Sequence, residues 1–479
     1  MSLTKVTFSM INGAVANILD FGADPTGATD STASIQAAIN SFATGQGTIR
    51  FPRGSYLVTS TLIVNQDGVN LVGDGMRVSR IVFAPTAADT CVFIGKGGEG
   101  TTDGGIISEC SVNNLWFYSN DTTYKKIAVE FKDQGECEFS NVKVGPIGNW
   151  SGDGSVGLRT RGRQMFWVKE CSITADIPIN IGFNDNAPTL CADFFTFKNI
   201  LLSSAANQPN IQIDDKVVLF NTVFDTVSMN NGTYGIYWNN TTGGVAQSTS
   251  LSLLNCRYEQ SDDPTKYAFY INPLGLVGFQ MTSCIFGGAG SYPVNGLYLR
   301  NCGSVCLQTC NVDVIGGREL INADSTVARL ELVNNFMQTG GISAITGMTL
   351  VRADKNTVSS GLPETGLFLT TTGINYTLNA AVSSPTIDLA DGAVYVVPSF
   401  VGYIFITTND DASATFVLSG ATNSTAETSD PTGLFSATKG TATSYNVYYD
   451  VGNARYEIEN NRGLAKKIRL TFLGTNAGF

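Results

Sequence analysis

The sequence predicts an all-β protein: a right-handed parallel β-helix with a short capping helix at its start and a β-sandwich at its end. Three observations predict it. A short phrase recurs nine times between Val112 and Met337, the recurrences carry β-type residues with no helical spacing, and the composition suits a long rigid core. Each phrase reads apolar, spacer, small polar, apolar, spacer, apolar. Its polar origins are Asn114, Asn141, Glu170, Asn199, Thr226, Asn255, Ser283, Thr309 and Asn334, with steps of 25 to 29 residues.

Written in columns, the phrase becomes a coil. Val112, Phe139, Val168, Phe197, Phe224, Leu253, Met281, Leu307 and Leu332 stand two before the origins, and Leu115 through Asn335 stand one after. Phe117 through Met337 stand three after. Alternation of period two places each column on one face of a strand, and the change of phase at the origin is a bend between two strands. Asn, Thr and Ser satisfy backbone groups at such bends, and stacked amides predict an internal polar ladder there. Successive windings then rise by about 4.8 Å.

Taken in chain order, Met1 to Ala16 is a short extension, and residues 17–110 open the coil. Within that opening, residues 31–42 have one apolar stripe of Ile35, Ala38, Ile39 and Phe42, with Asp30 or Ser31 as cap. Such a helix closes the open end of a solenoid. Residues 47–64 and 69–83 alternate like strands between Gly and Pro breaks, and the GDG at Gly73 to Gly75 is a turn, not a phosphate loop, because no helix start follows. Residues 111–360 are the main coil. From 373 to 479 the texture becomes Thr/Ser/Ala-rich with short alternating strands, which predicts a separate β-sandwich.

Composition narrows the chemistry. The chain has 479 residues, 43% hydrophobic and 14% charged, with 51 Gly and a formal charge of −11. That charge disfavours nucleic acid, whose phosphates are bound mainly by Lys and Arg. No segment is long and apolar enough to insert in a membrane, and the start lacks a secretory signal, so synthesis in a reducing cytoplasm is expected. Four of the ten cysteines, Cys171, Cys256, Cys284 and Cys310, share an inward column and read as small buried hydrophobes. Neither a metal nor a cofactor is expected. The chain contains no histidine, which excludes Ser-His-Asp and Cys-His catalysis and leaves carboxylates, Tyr, Lys and Arg.

The run DFGADPTGATDST, then the amphipathic helix, then GTIRFPRGSYLV and LVGDG, resembles the start of pectate-lyase-like β-helix proteins, bacteriophage tailspikes above all. That resemblance implies a virion protein on the phage tail. It would work as a homotrimer, attach to the tail, the baseplate or another tailspike, and bind a bacterial surface polysaccharide such as O-antigen, capsule or exopolysaccharide. It also implies that the terminal sandwich closes the trimer or binds sugar.

Candidate site residues follow from the coil. Outward positions lie two and four after each origin, so Glu259 and Asp313 project from one column with Gly287 between them. Their backbones are then about 9.6 Å apart, twice the strand spacing. Two carboxylates at roughly 6.5 to 9.5 Å suit an inverting glycosidase. Asp225 is a further catalytic candidate, with Asp262 and Asp263 in reserve, and Arg257 beside Glu259 orients substrate. Trp116, Tyr118, Tyr237 and Trp238 are read as substrate-binding aromatics, whose rings cover sugar C–H faces. The competing readings are a polysaccharide lyase, working by β-elimination through Lys, Arg or Tyr, and a fibre that binds its receptor without cutting it.

Overall fold

The computed structural model describes residues 15–42, 46–97, 105–145, 154–182, 192–204, 208–240, 248–259, 265–287, 295–313, 321–324, 326–338, 344–345, 350–354, 357–359, 386–397, 401–419 and 424–475. The chain divides into two compact units, residues 1–348 with 352–362, and residues 349–351 with 363–479.

The first unit is a solenoid of parallel strands. Each winding has three flanks: a first strand before the bend, a second after it, and a third reached through a longer connection. The first and second flanks join in one 25-stranded sheet, while the third is a separate sheet of 11 strands. Pairing between windings is in register: Ser228 lies beside Arg257, Arg257 beside Ile285, Ile285 beside Asn311, and Asn311 beside Phe336.

The bend is where the repeat earns its spelling. All nine origins adopt positive φ, between 51° and 58°. Asn tolerates this left-handed conformation better than other non-Gly residues, which explains why five of the nine origins are Asn. Leu253 and Cys256, flanking the bend at Asn255, are buried, as are their counterparts on the other windings. A fully buried side chain of this kind contributes about 1.5–3 kcal/mol over an exposed one, so the inward columns dominate the stability of the coil.

One expectation is corrected here. The polar ladder at the bends is not internal, because the apolar neighbours on both sides of the origin occupy the inner corner and leave its side chain on the convex side. Asn141 Nδ2 donates to Asn114 Oδ1, and Ser283 and Thr309 share a hydroxyl bond at 3.0 Å. From Glu170 onward the column is exposed. The last inward position is polar: Asn335, wholly inside, accepts from the Cys310 amide at 2.8 Å and donates to the Leu307 carbonyl at 3.0 Å.

At the start, the α-helix spans Thr32–Asn40 and buries Ile35, Ala38 and Ile39. Asp30 caps it, accepting from the Thr32 amide at 3.0 Å, while Ser31 accepts from the Asp24 amide instead. The preceding turn is built on the Asp24 carboxylate, which takes hydrogen bonds from Thr26, Ala28 and Thr29. Those from Thr26 above all hold its carboxyl well below the usual carboxylate range. In the GDG turn, a side chain on Gly73 would place its Cβ 2.2 Å from the Asn114 carbonyl oxygen. Only glycine lets these two windings approach.

The second unit has a five-stranded and a four-stranded sheet, mostly antiparallel, with a shared core of Ile404, Phe416, Leu418, Tyr445, Ile458 and Leu470 among others. Asp410 is its main ionic anchor, with Lys466 Nζ at 2.9 Å and the Tyr445 hydroxyl at 2.8 Å.

Two predictions follow from these packing facts. Thr226 is a β-branched residue at φ 57°, a conformation it adopts at a cost of about 1 kcal/mol or more. Thr226→Asn is therefore expected to raise unfolding stability by about 1 kcal/mol, measured as a shift in the urea midpoint; an unchanged midpoint contradicts the strain. In the second unit, partial burial pushes the Asp410 carboxyl up, but the hydrogen bond from Thr408 and the Lys466 ion pair outweigh it and hold the group well below its usual range. A depressed folded value means that the stabilisation is complete above the unfolded carboxyl range, about 3.9, and is lost as pH falls through and below it. Acid titration of melting temperature is expected to show a steeper fall below about pH 4 in wild type than in Asp410→Asn; parallel curves contradict this.

Candidate functional site

The site is built on the outward face of the third flank. Register brings Glu130, Arg159, Asn180, Gln212, Tyr237, Tyr270, Tyr298 and Asn322 into one column, each beside the next. Two residues further along each strand runs a second column that includes Arg161, Asp214, Asn239, Asn272, Arg300 and Asp324. Because strands stack without offset, identical or complementary side chains on successive windings must interact.

At the near end the column is ionic. Arg161 pairs with the buried Glu130, Arg159 Nε donates to Asn180 Oδ1 at 2.8 Å, and Asn180 Nδ2 donates to Asp214 Oδ1 at 2.7 Å. Gln212 donates to the same oxygen at 3.0 Å.

Further along the column becomes aromatic. Tyr237 and Tyr270 lie 5.1 Å apart between ring centroids, and Tyr270 and Tyr298 stack at 4.2 Å with planes only 6° apart. Tyr234 packs on Tyr237 at 4.8 Å, Tyr267 meets Tyr298 edge-on at 5.3 Å, and the Arg300 guanidinium lies 4.0 Å from the Tyr298 ring centre. Burial, and next the hydrogen bond with Tyr298, push the Tyr270 phenol above its ordinary range. It stays neutral at physiological pH. Stacking occupies the ring faces, so the half-buried strip offers ring edges and phenolic oxygens. Asn239, which donates to the Tyr237 hydroxyl at 3.3 Å, and Asn272, which donates to Asn239 at 2.8 Å, add amides alongside. This surface suits a long, hydroxyl-rich ligand laid along the coil.

The sequence-derived residues are distributed over all three flanks. Glu259 and Asp313 lie in the expected column of the second flank, since Gly287 pairs with Asp313 and Tyr258 with Phe286. Glu259 is ion-paired with Arg257. For Asp313 only the strand position is described. Asp225 sits on the first flank just before the bend, paired with Lys198 at 3.3 Å. Partial burial raises its carboxyl, but hydrogen bonds from Thr226, Lys198 and Asn255 prevail and lower it. Asp262 and Asp263 lie outside the described residues. Trp116 and Tyr118 are half-buried on the second flank, near the start of the coil.

Tyr237 belongs to the strip, but Trp238 is corrected. It is fully buried, in register with Ile213 and Ile271. Neighbouring residues on a strand face opposite ways, so a Tyr237 that points out forces Trp238 in. Tyr234, Tyr267, Tyr270, Tyr298 and Arg300 were missed. Their signal was present as YGIYWN, YAFYIN and NGLYLR at residues 234, 267 and 295.

Acids and tyrosines share windings. The winding that carries Glu259 continues into Tyr267 and Tyr270, that of Gly287 into Tyr298, and that of Asp313 into Asn322. Each acid ends its second-flank strand immediately before the connection to the third flank.

Residues 15–237 match the family model for rhamnogalacturonase A/epimerase, pectate lyase-like. That match spans just under half of the chain and lies within the first unit. Among curated proteins, mannuronan C5-epimerase AlgE4 of Azotobacter vinelandii is 43% identical over 99 residues, which is 19% of this chain and 18% of that protein. AlgE1 of the same organism is 36% identical over 102 residues, 19% of this chain and 7% of that protein. The chain thus matches less than a fifth of the length of either. Among solved structures, the AlgE4 A-module gives a TM-score of 0.45 at 18% identity, covering 73% of this chain and 98% of that one. The tailspike of Escherichia coli bacteriophage HK620, in complex with a pentasaccharide, gives 0.49 at 12% identity, covering 95% of this chain and 93% of that one.

Proposed function

We propose that this protein is a bacteriophage tailspike that binds a bacterial surface polysaccharide along the third-flank strip and shortens it by glycoside hydrolysis. The carrying observation is the shared set of windings: Tyr270, Tyr298 and Asn322 on the third flank, with Glu259, Gly287 and Asp313 at the adjoining end of the second. Two carboxyl positions end the strands that lead into the windings of the strip, with no side chain at the position between them.

In the hydrolytic cycle Asp313 protonates the leaving glycosidic oxygen while Glu259, held by Arg257, activates a water on the opposite side. Backbones about 9.6 Å apart let the two carboxyl groups reach the roughly 6.5 to 9.5 Å separation that leaves room for that water in an inverting enzyme. Tyrosine edges and Asn amides hold the neighbouring sugars and keep the scissile bond in place. As a virion component the protein acts outside the host cell, as a homotrimer joined to the tail, the baseplate or another tailspike. The family model and the short matches to polysaccharide-modifying enzymes agree with a carbohydrate substrate.

The matches to mannuronan C5-epimerases favour a second reading, removal of the proton beside a uronate carboxylate, with elimination as its lytic outcome. Ultraviolet absorbance of the products separates the two, because only elimination leaves an unsaturated sugar.

The test is to incubate the purified protein with host surface polysaccharide and follow chain length. Wild type is expected to shorten it without new ultraviolet absorbance. Glu259→Gln and Asp313→Asn are each expected to lower the rate by about 100- to 10,000-fold, the usual share of a general acid or base, with melting temperature and binding unchanged. Full activity in either variant overturns the assignment, and binding without any shortening makes the protein a receptor-binding fibre.

A further inference from the structure

A second cluster lies apart from the tyrosine strip, on the second flank near the start of the coil. Arg80, Trp116 and Lys143 occupy successive rungs of one outward column. Tyr118 stands beside Trp116, with ring centroids 5.7 Å apart and planes at 79°. The rings are fixed in place: Trp116 Nε1 donates to the Gly145 carbonyl at 2.6 Å, and the Tyr118 hydroxyl bonds Asn120. Cations gather around them. Lys143 Nζ lies 4.4 Å from the Trp116 ring centre, and the Arg80 guanidinium lies 5.2 Å from Trp116 and 5.1 Å from Tyr118.

Among the described residues this cluster has no anionic partner. Arg80 spends Nε and Nη2 on a single acceptor, Ser55 Oγ, at 3.1 and 2.8 Å, which leaves most of its five donors unused. Among the described residues no carboxylate lies within ion-pair distance of Arg77, Arg80 or Lys143. The nearest acid in sequence, Asp74, is engaged with Arg50 and the Arg53 amide. The ammonium group of half-buried Lys143 makes no hydrogen bond among the described residues, and burial, followed by the charge of Arg77, pushes its pKa down. In a chain of net charge −11, two cations on two fixed rings with no ion-pair partner among the described residues are an exception that needs a partner.

We propose that Arg80 and Lys143, set around Trp116 and Tyr118, form a subsite for a carboxylate-bearing sugar, a uronate or a nonulosonate, within the polysaccharide. The cations take the carboxylate through charge-assisted hydrogen bonds, and exposed ring surface covers the apolar side of the sugar. This rests on the reading that the ligand is a polysaccharide, and it makes that polysaccharide acidic. Hydrophobic aromatics alone would not select charge; the cations alone would not select a sugar.

The test uses an array of bacterial surface oligosaccharides with hexuronate, sialate and purely neutral members, together with the carboxyl-reduced counterpart of every acidic one. Acidic members are expected to bind, and their reduced counterparts to bind at least about tenfold more weakly, the size of one charge-assisted contact. Arg80→Gln and Lys143→Gln are expected to lose the same factor while melting like wild type, and Lys143→Arg is expected to restore it. Binding confined to neutral members, equal binding of reduced counterparts, no binding, or undiminished acid binding by the Gln variants overturns the subsite. Cleavage of polysaccharide without any such acid dependence overturns the subsite and leaves the hydrolase reading standing. Acid-dependent binding without cleavage supports the subsite while the hydrolase reading falls.

Discussion

Every feature of the first unit depends on one constraint: parallel strands on successive windings hydrogen-bond without slipping. A shift of one residue would turn each inward column outward and expose the core along the whole coil. The left-handed residue at each bend enforces this, because it fixes where one strand ends and the next begins. With φ held between 51° and 58° at all nine bends, the apolar columns on either side stack from Val112 to Leu332. The outward face inherits the same order without needing it for stability. It becomes a surface on which residues some 30 apart in sequence are neighbours, as Tyr237, Tyr270 and Tyr298 are.

That inherited order explains the chemistry of the strip. A single exposed tyrosine is an ordinary surface residue, but a stacked row of them is a line of neutral phenols held at the strand spacing. Ion pairs and amides continue the line in both directions, through Arg159 and Asn180 at one end and Arg300 and Asp324 at the other. Long polymers of sugar match a surface that repeats along one axis. The cationic cluster around Trp116 differs in kind, since it breaks the repeat and carries charge that no described carboxylate neutralises.

Much of this was legible in the sequence, and the limits have physical causes. The bend phrase located the inward columns and the Glu259, Gly287, Asp313 alignment because the first and second flanks sit at fixed distances from each origin. The third flank does not. Tyr237, Tyr270, Tyr298 and Asn322 follow their bends by 11, 15, 15 and 13 residues, so a period anchored at the bend scrambles them. Trp238 was misplaced for the same reason: read as a substrate-binding aromatic, it lies on a third-flank strand whose phase the bend does not set. The polar ladder was put inside because amides stack well there, whereas the apolar neighbours had already filled the corner. Asp24 illustrates a different limit: DFGADPTGATDST resembles a family motif, but that one carboxylate organises the turn was visible only in its hydrogen bonds.

The most direct measurement is a crystal structure of the Asp313→Asn variant with an oligosaccharide from a bacterial surface polysaccharide found to bind it in solution. The account predicts a sugar chain running parallel to the coil axis over Tyr237, Tyr270 and Tyr298, with one glycosidic oxygen between Glu259 and residue 313. A chain seated on the first flank, or one crossing the coil away from those windings, would contradict it.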